Sequence, residues 1–282
     1  MTTVRRRLAE IVYQVTALRN APQAFEARYW RDFYRALLLG ATRNAITRLL
    51  LVLLVFVGLV APHARAQSHL DLVVAIDLTQ SVAATGPDGR SDFQKNVEGV
   101  GKVLAQIPAG ARLTIIGITD QSFSEPYLLM RAQVPDDPGY FGEKLTAARG
   151  EIVRAWERRS AELRPSFRQT DIFGALELAS QILSQDQSAN RRELVVFSDM
   201  RESVPFLDFE RAKVVPEYRF VANKCGELSA LKNTVVYLVG VDGAGKSAAY
   251  WESLHQFWRE YFQDTGATLK TFTVLRDSPQ EF

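Results

Sequence analysis

Asp77-Leu78-Thr79-Gln80-Ser81 places a carboxylate and two hydroxyls at alternate positions, so that all three can turn toward one point. The run follows directly on Leu70–Ile76 (LDLVVAI), a continuous apolar, β-rich stretch. Thr170 stands just before a helix-like segment in Arg168-Gln169-Thr170-Asp171-Ile172, and Asp199 follows another strand-like run, ELVVF. Two carboxylates and three hydroxyls are hard oxygen donors, the kind Mg²⁺ accepts in octahedral geometry while keeping part of its water. So few charges leave such an ion electron-poor, and an incoming carboxylate becomes a strong ligand. Asp and Ser also follow strands simply as helix caps, so the string gains force only from its position and order.

These residues must be brought together by the elements around them. From residue 70, strand-like and helix-like segments alternate. Strands are expected at Leu70–Ile76, Arg112–Thr119, Tyr127–Val134 (a short edge strand), Glu193–Phe197, Thr234–Val241 and Ala267–Leu275. Helices are expected at Ser91–Ile107 with Ser91 as N-cap, at about Phe141–Leu163, at Thr170–Leu183 and at Ser247–Phe262. The second of these is mostly charged and reads as solvent-facing, whereas Trp251, Leu254, Trp258, Tyr261 and Phe262 mark a core face on the last. Such βα alternation predicts an α/β domain with a mostly parallel sheet between helices. In such sheets ligands bind beyond the carboxyl ends of the strands, where Asp77 and Asp199 both fall. Residues 203–233 show little periodicity and carry no firm assignment.

This arrangement resembles the von Willebrand factor type A (vWA) domain and its metal-ion-dependent adhesion site, over roughly residues 70–275. The resemblance assigns Asp77, Thr79 and Ser81 to the first loop of that site, Thr170 to the second and Asp199 to the third. Thr79 stands where serine is commoner and keeps the hydroxyl. The segment Trp251–Ala267 (WESLHQFWREYFQDTGA) also looks like the last helix and turn of bacterial members. What the family implies is a Rossmann-like fold and a divalent cation, usually Mg²⁺ (Mn²⁺ and Ca²⁺ being the alternatives), held partly through water. A protein partner's Asp or Glu then completes the ion's shell. The implied role is binding, with no catalysis.

A rival motif is Gly240-Val241-Asp242-Gly243-Ala244-Gly245-Lys246-Ser247, which satisfies G-x-x-x-x-G-K-[ST] after a strand and before a helix. As a phosphate-binding loop it would cradle phosphates on backbone N–H groups at a helix N-terminus. Only 35 residues follow Ser247, and no later strand ends in Asp. The competing reading is a tight glycine turn with Ser247 as helix cap. A phosphatase with Asp77 as nucleophile would want a second Asp where Thr79 stands. A serine hydrolase lacks its G-x-S-x-G elbow. His255 reads as a packing or surface residue and Cys225, with no identifiable base, as a loop or core thiol.

The chain has 282 residues, 47% hydrophobic and 23% charged, which excludes a mainly disordered or polytopic membrane class. Its net charge of +2 is unevenly spread: the first 66 residues carry ten arginines, no lysine and three acids, a net of +7, leaving −5 on the other 216. So acidic a body has no overall pull toward nucleic acid. One cysteine excludes an internal disulfide and any multi-cysteine metal site. Residues 49–60 (LLLVLLVFVGLV) are apolar, preceded by Arg43 and Arg48 and followed by Ala64-Arg65-Ala66. With these flanks residues 43–66 read as a secretory signal cleaved before Gln67, or as an uncleaved inner-membrane anchor. Either way residues 67–282, the vWA-like domain, are exported to the periplasm or beyond, with any membrane contact made through the N-terminal segment. Residues 1–48 form a basic extension, either an amphipathic helix on the membrane surface or the product of a start codon set too far upstream.

Overall fold

A computed structural model describes residues 69–276 apart from 186–188, 226–229 and 243–244, together with the backbone but not the side chains of 224 and 225. The leader and the basic extension lie outside the described residues. So do Gly243, Ala244 and the Cys225 side chain. Among the described residues no helix is long and apolar enough to cross a membrane.

Six strands make the central sheet: β1 (Leu70–Asp77), β2 (Arg112–Ile118), β3 (Tyr127–Gln133), β4 (Arg191–Phe197), β7 (Thr234–Val239) and β8 (Thr268–Thr273). A separate two-residue pair, β5 (Ser203–Val204) with β6 (Leu207–Asp208), forms a small hairpin. The sheet order is β3-β2-β1-β4-β7-β8, with every neighbour parallel except the antiparallel edge pair β2–β3. This is the mostly parallel, Rossmann-like sheet between helices that the alternating segments predict. β1 lies in the middle and all eight of its residues are buried, as a strand covered by helices on both faces must be.

One face of the sheet carries α1 (Asp92–Leu104) and α2 (Glu143–Ala161). Leu72, Val74 and Ile76 of β1 point into that core, with Phe93, Val100, Val103 and Leu104. Val73 and Ala75 point to the opposite core, packed by α3 (Ile172–Ser184), α4 (Tyr218–Cys225) and α5 (Ala248–Asp264). Burying each large aliphatic of β1 is worth about 1.5–3 kcal/mol, which makes this strand the anchor of both layers. Capping follows the sequence: Ser91 closes a capping box with Gln94, and the Ser247 hydroxyl accepts from Tyr250 N–H.

Two features differ from the sequence reading. α2 is charged on most faces, yet Ile152 and Trp156 are buried, and Trp156 Nε1 donates to the Val97 carbonyl of α1 at 3.1 Å. Two apolar residues one turn apart suffice to seat a helix whose average composition looks fully exposed. In residues 203–233 the weak periodicity conceals the β5–β6 hairpin and α4, whose Tyr218 and Val221 join the core.

Candidate metal centre

The carboxyl ends of β1 and β4 lie side by side, with Ile76 paired to Phe197. Asp77 closes β1 fully buried. The chain then turns, so that Thr79 N–H donates to Asp77 Oδ1 at 2.9 Å and Thr79 Oγ1 to the same oxygen at 2.7 Å. A short 3₁₀ turn at Gln80–Val82 brings Ser81 Oγ to 3.1 Å from Thr79 Oγ1. The second loop is tied to the first through Gln80 N–H, which donates to the Phe167 carbonyl at 2.8 Å. Thr170 exchanges backbone hydrogen bonds with Ser203, and its hydroxyl donates to Thr79 Oγ1 at 3.0 Å.

Three hydroxyl oxygens from two loops therefore stand in a chain with 3.0 and 3.1 Å steps. Neighbouring ligands of an octahedral Mg²⁺, each about 2.1 Å from the ion, are separated by about 3.0 Å. The two spacings match two adjoining edges of such a shell that meet at Thr79, and the donors are hard oxygens. Among the described residues no three His, Cys, Asp or Glu side chains cluster as a metal site. An ion here would have three hydroxyls available as ligands, with the two carboxylates compensating its charge directly or through water. On this test the residues present fit a small oxygen-loving dication.

Asp77 and Asp199 supply that charge. Asp77 Oδ2 accepts from Ser198 Oγ at 2.6 Å. Burial, and after it the Asp199 carboxylate, push the Asp77 pKa up to about 7 against the hydrogen bonds from Ser198 and Thr79. Burial and the Asp199 carboxylate both disfavour a negative charge on Asp77, and a dication held nearby would offset that penalty. Asp199 is 2% exposed and bound to Arg201: its Oδ1 accepts Arg201 N–H at 3.0 Å, and its Oδ2 accepts Nη2 at 3.0 Å and Nε at 3.2 Å. Between them Met200 adopts φ +62, the left-handed region costly for a side chain. Trp258 Nε1 holds that turn through the Met200 carbonyl at 3.0 Å.

Behind the site lies a second row of acids. Asp171 caps α3, accepting from Gly174 N–H at 2.8 Å, and also accepts Ser122 N–H at 2.9 Å. Glu202 Oε2 takes Ile172 and Phe173 N–H at 2.9 and 3.1 Å, so a distant carboxyl closes the same helix start. Burial, then Asp171, raise the Glu202 pKa well above 4.5, and its Oε1 is buried with no hydrogen-bond partner. The structure thus gathers Asp77, Thr79, Ser81 and Thr170 by direct contact, with Asp199 adjacent. It adds Ser198, Arg201 and Glu202, none of which the sequence reading singles out. Ser198 and Arg201 flank Asp199 in sequence, and that neighbourhood was the only available signal.

The lysine and serine of the rival phosphate motif are otherwise engaged. Lys246 donates to the Glu210 carbonyl and lies 5.1 Å from the Tyr250 ring, while Ser247 caps α5. His255 packs its ring 4.5 Å from that of Phe272, a packing role.

No family model matches the chain, nor does any curated protein. Among solved structures it is similar to proximal thread matrix protein 1 of the mussel byssus, at 12% identity over 74% of this chain and 42% of that one, TM-score 0.41. It is also similar to a von Willebrand factor type A protein from Catenulispora acidiphila, at 13% identity over 73% and 39%, TM-score 0.39. An aerotolerance-related membrane protein from Bacteroides fragilis gives 13% identity over 73% and 92%, TM-score 0.37. The chain spans less than half the length of the first two. At these identities and scores the likeness concerns the fold alone, and the reading of the site rests on this chain's own residues.

Proposed function

We propose that residues 67–282 form an exported vWA-type binding module that engages a protein partner through a divalent cation, Mg²⁺ by preference and Mn²⁺ or Ca²⁺ as substitutes. Thr79, Ser81 and Thr170 offer hydroxyl ligands, and Asp77 and Asp199 compensate the charge directly or through water. An Asp or Glu of the partner completes the shell. The observation that carries this is the hydroxyl chain Ser81–Thr79–Thr170, spaced 3.1 and 3.0 Å beside two buried carboxylates at the carboxyl edge of the sheet. We read the role as binding, as the resemblance to vWA domains implies. Export follows from the apolar leader, which delivers the domain to the periplasm, secreted or held at the inner membrane.

A cation that binds only the folded state raises stability by RT ln(1 + [L]/Kd), about 2.7 kcal/mol at a hundredfold excess over Kd. Mg²⁺ or Mn²⁺ titrated into the chain is expected to raise its melting temperature, and Asp77→Ala to abolish that rise. Equal, metal-blind melting of both would remove the cation site. Capture of a partner that survives chelator would remove the carboxylate-to-metal contact while leaving the cation site standing.

A further inference from the structure

Arg201 lies outside the proposed ligand set, yet it holds one of its two carboxylates from three directions. Its backbone N–H, Nε and Nη2 all go to Asp199, and its side chain is only 11% exposed. The far edge of the fork is fixed by Glu210, whose Oε1 accepts Nη1 at 3.2 Å. Burial opposes the guanidinium charge, but Asp199 and Glu210 outweigh it and hold the group above its usual pKa. A guanidinium keeps its charge at any ordinary pH, so Arg201, held on Asp199 by three hydrogen bonds, is a permanent positive charge inside a site otherwise built to attract one.

We propose that Arg201 is a resident counter-charge: it neutralises Asp199 in the absence of a cation, so that the site holds the ion loosely by itself and firmly once a carboxylate joins it. This rests on the cation-site reading above. The physical reason is bookkeeping of charge. With Asp77 and Asp199 alone, a dication would be fully neutralised and would have little pull left for a third carboxylate. With Arg201 added, and with Glu210 on the far side of the guanidinium 42% exposed and so screened by water, the same set leaves part of a positive charge over. That excess repels the ion when it stands alone and attracts the partner's carboxylate when it arrives. Ion and partner then reinforce each other, and by linkage each tightens the other by the same factor. Arg201 is a positioning residue here, acting through Asp199, and its reach over a few ångströms in a poorly hydrated site is enough to change ion affinity about tenfold.

The test uses Mn²⁺ as probe, measured by calorimetry or by the Mn²⁺ spin resonance signal, on wild type, Arg201→Gln and Arg201→Lys. Arg201→Gln is expected to bind Mn²⁺ about tenfold more tightly than wild type, and Arg201→Lys, which keeps the charge, within about threefold of wild type. Acetate added as a carboxylate should tighten Mn²⁺ binding in wild type by a larger factor than in Arg201→Gln. In chelator, Arg201→Gln should melt below wild type, with the gap closing in saturating Mn²⁺ as the ion replaces the lost charge. An Arg201→Gln chain that folds only with Mn²⁺ supports the same conclusion. Weaker or equal Mn²⁺ binding by Arg201→Gln, a Lys variant that behaves like Gln, or a Gln variant that Mn²⁺ cannot rescue would overturn the counter-charge role and leave the cation site intact. Mn²⁺ binding by none of the three proteins would instead take down the cation site, and this inference with it.

Discussion

Ser198→Ala separates a group that positions the site from one that would touch the ion. Ser198 Oγ donates to Asp77 Oδ2 at 2.6 Å and accepts Met200 N–H at 3.0 Å, and all three residues are buried. A hydrogen bond to a charged group contributes about 1.5–3 kcal/mol, and a buried N–H left alone costs about 1–3 kcal/mol. Because the two losses share one hydroxyl they will not add fully, so the expected loss of stability is about 2–4 kcal/mol. It should be measured by urea unfolding in chelator above pH 7, where Asp77 is ionised. Ser81→Ala is the matched control: Ser81 is half-buried and its contact is the 3.1 Å one to Thr79. It should cost less than about 1 kcal/mol in chelator yet weaken Mn²⁺ binding sharply. A Ser198→Ala loss under about 1 kcal/mol, or a Ser81→Ala loss as large as that of Ser198→Ala, would refute this division of labour.

Glu202 gives a pH signature. Its folded pKa is raised well above 4.5 by burial and then Asp171, so above that pH the unfolded chain releases a proton that the folded chain keeps. Its contribution to stability is therefore greatest in acid and declines as pH rises through 4.5 toward the folded value. Glu202→Gln should flatten that decline, and parallel stability–pH curves for the two proteins would show that the carboxyl has the same pKa folded and unfolded. Lys246→Ala should cost about 0.5–1.5 kcal/mol through the lost bond to the Glu210 carbonyl, and ATP should shift the melting of neither protein. An ATP shift lost in the variant would restore the phosphate-loop reading. Gly99→Ala would set a Cβ 2.4 Å from Phe197 Cε1 where α1 crosses the sheet, costing about 1–3 kcal/mol of overpacking. Mn²⁺ affinity should be unchanged in that variant, since Phe197 meets α1 on the core face, and a large change would tie α1 packing to the site.

What the residues determine by themselves is local. The apolar run Leu70–Ile76 must be a strand covered on both faces, and Ser91 and Ser247 are caps because a hydroxyl before an apolar period has N–H groups to satisfy. The Asp77–Ser81 string was legible as a turn with converging oxygens for the same reason, since alternate residues in one short loop share a direction. Thr170 and Asp199 became candidates only through their order and context. Their placement depends on strand neighbours, β4 lying against β1, and strand order is not written in any single segment. The burial of Trp156 is not legible in average composition, because helix α2 meets α1 along one narrow line.

The inner electrostatics were decided by tertiary structure alone. Arg201 reaches back to Asp199 because Met200 turns left-handed between them and Trp258, nearly sixty residues on, holds that turn. Glu202 caps a helix thirty residues before it. Charge and hydrogen bonding act over distances in space, whereas sequence records distances along the chain. The two coincide inside a loop and part company wherever the fold brings loops together.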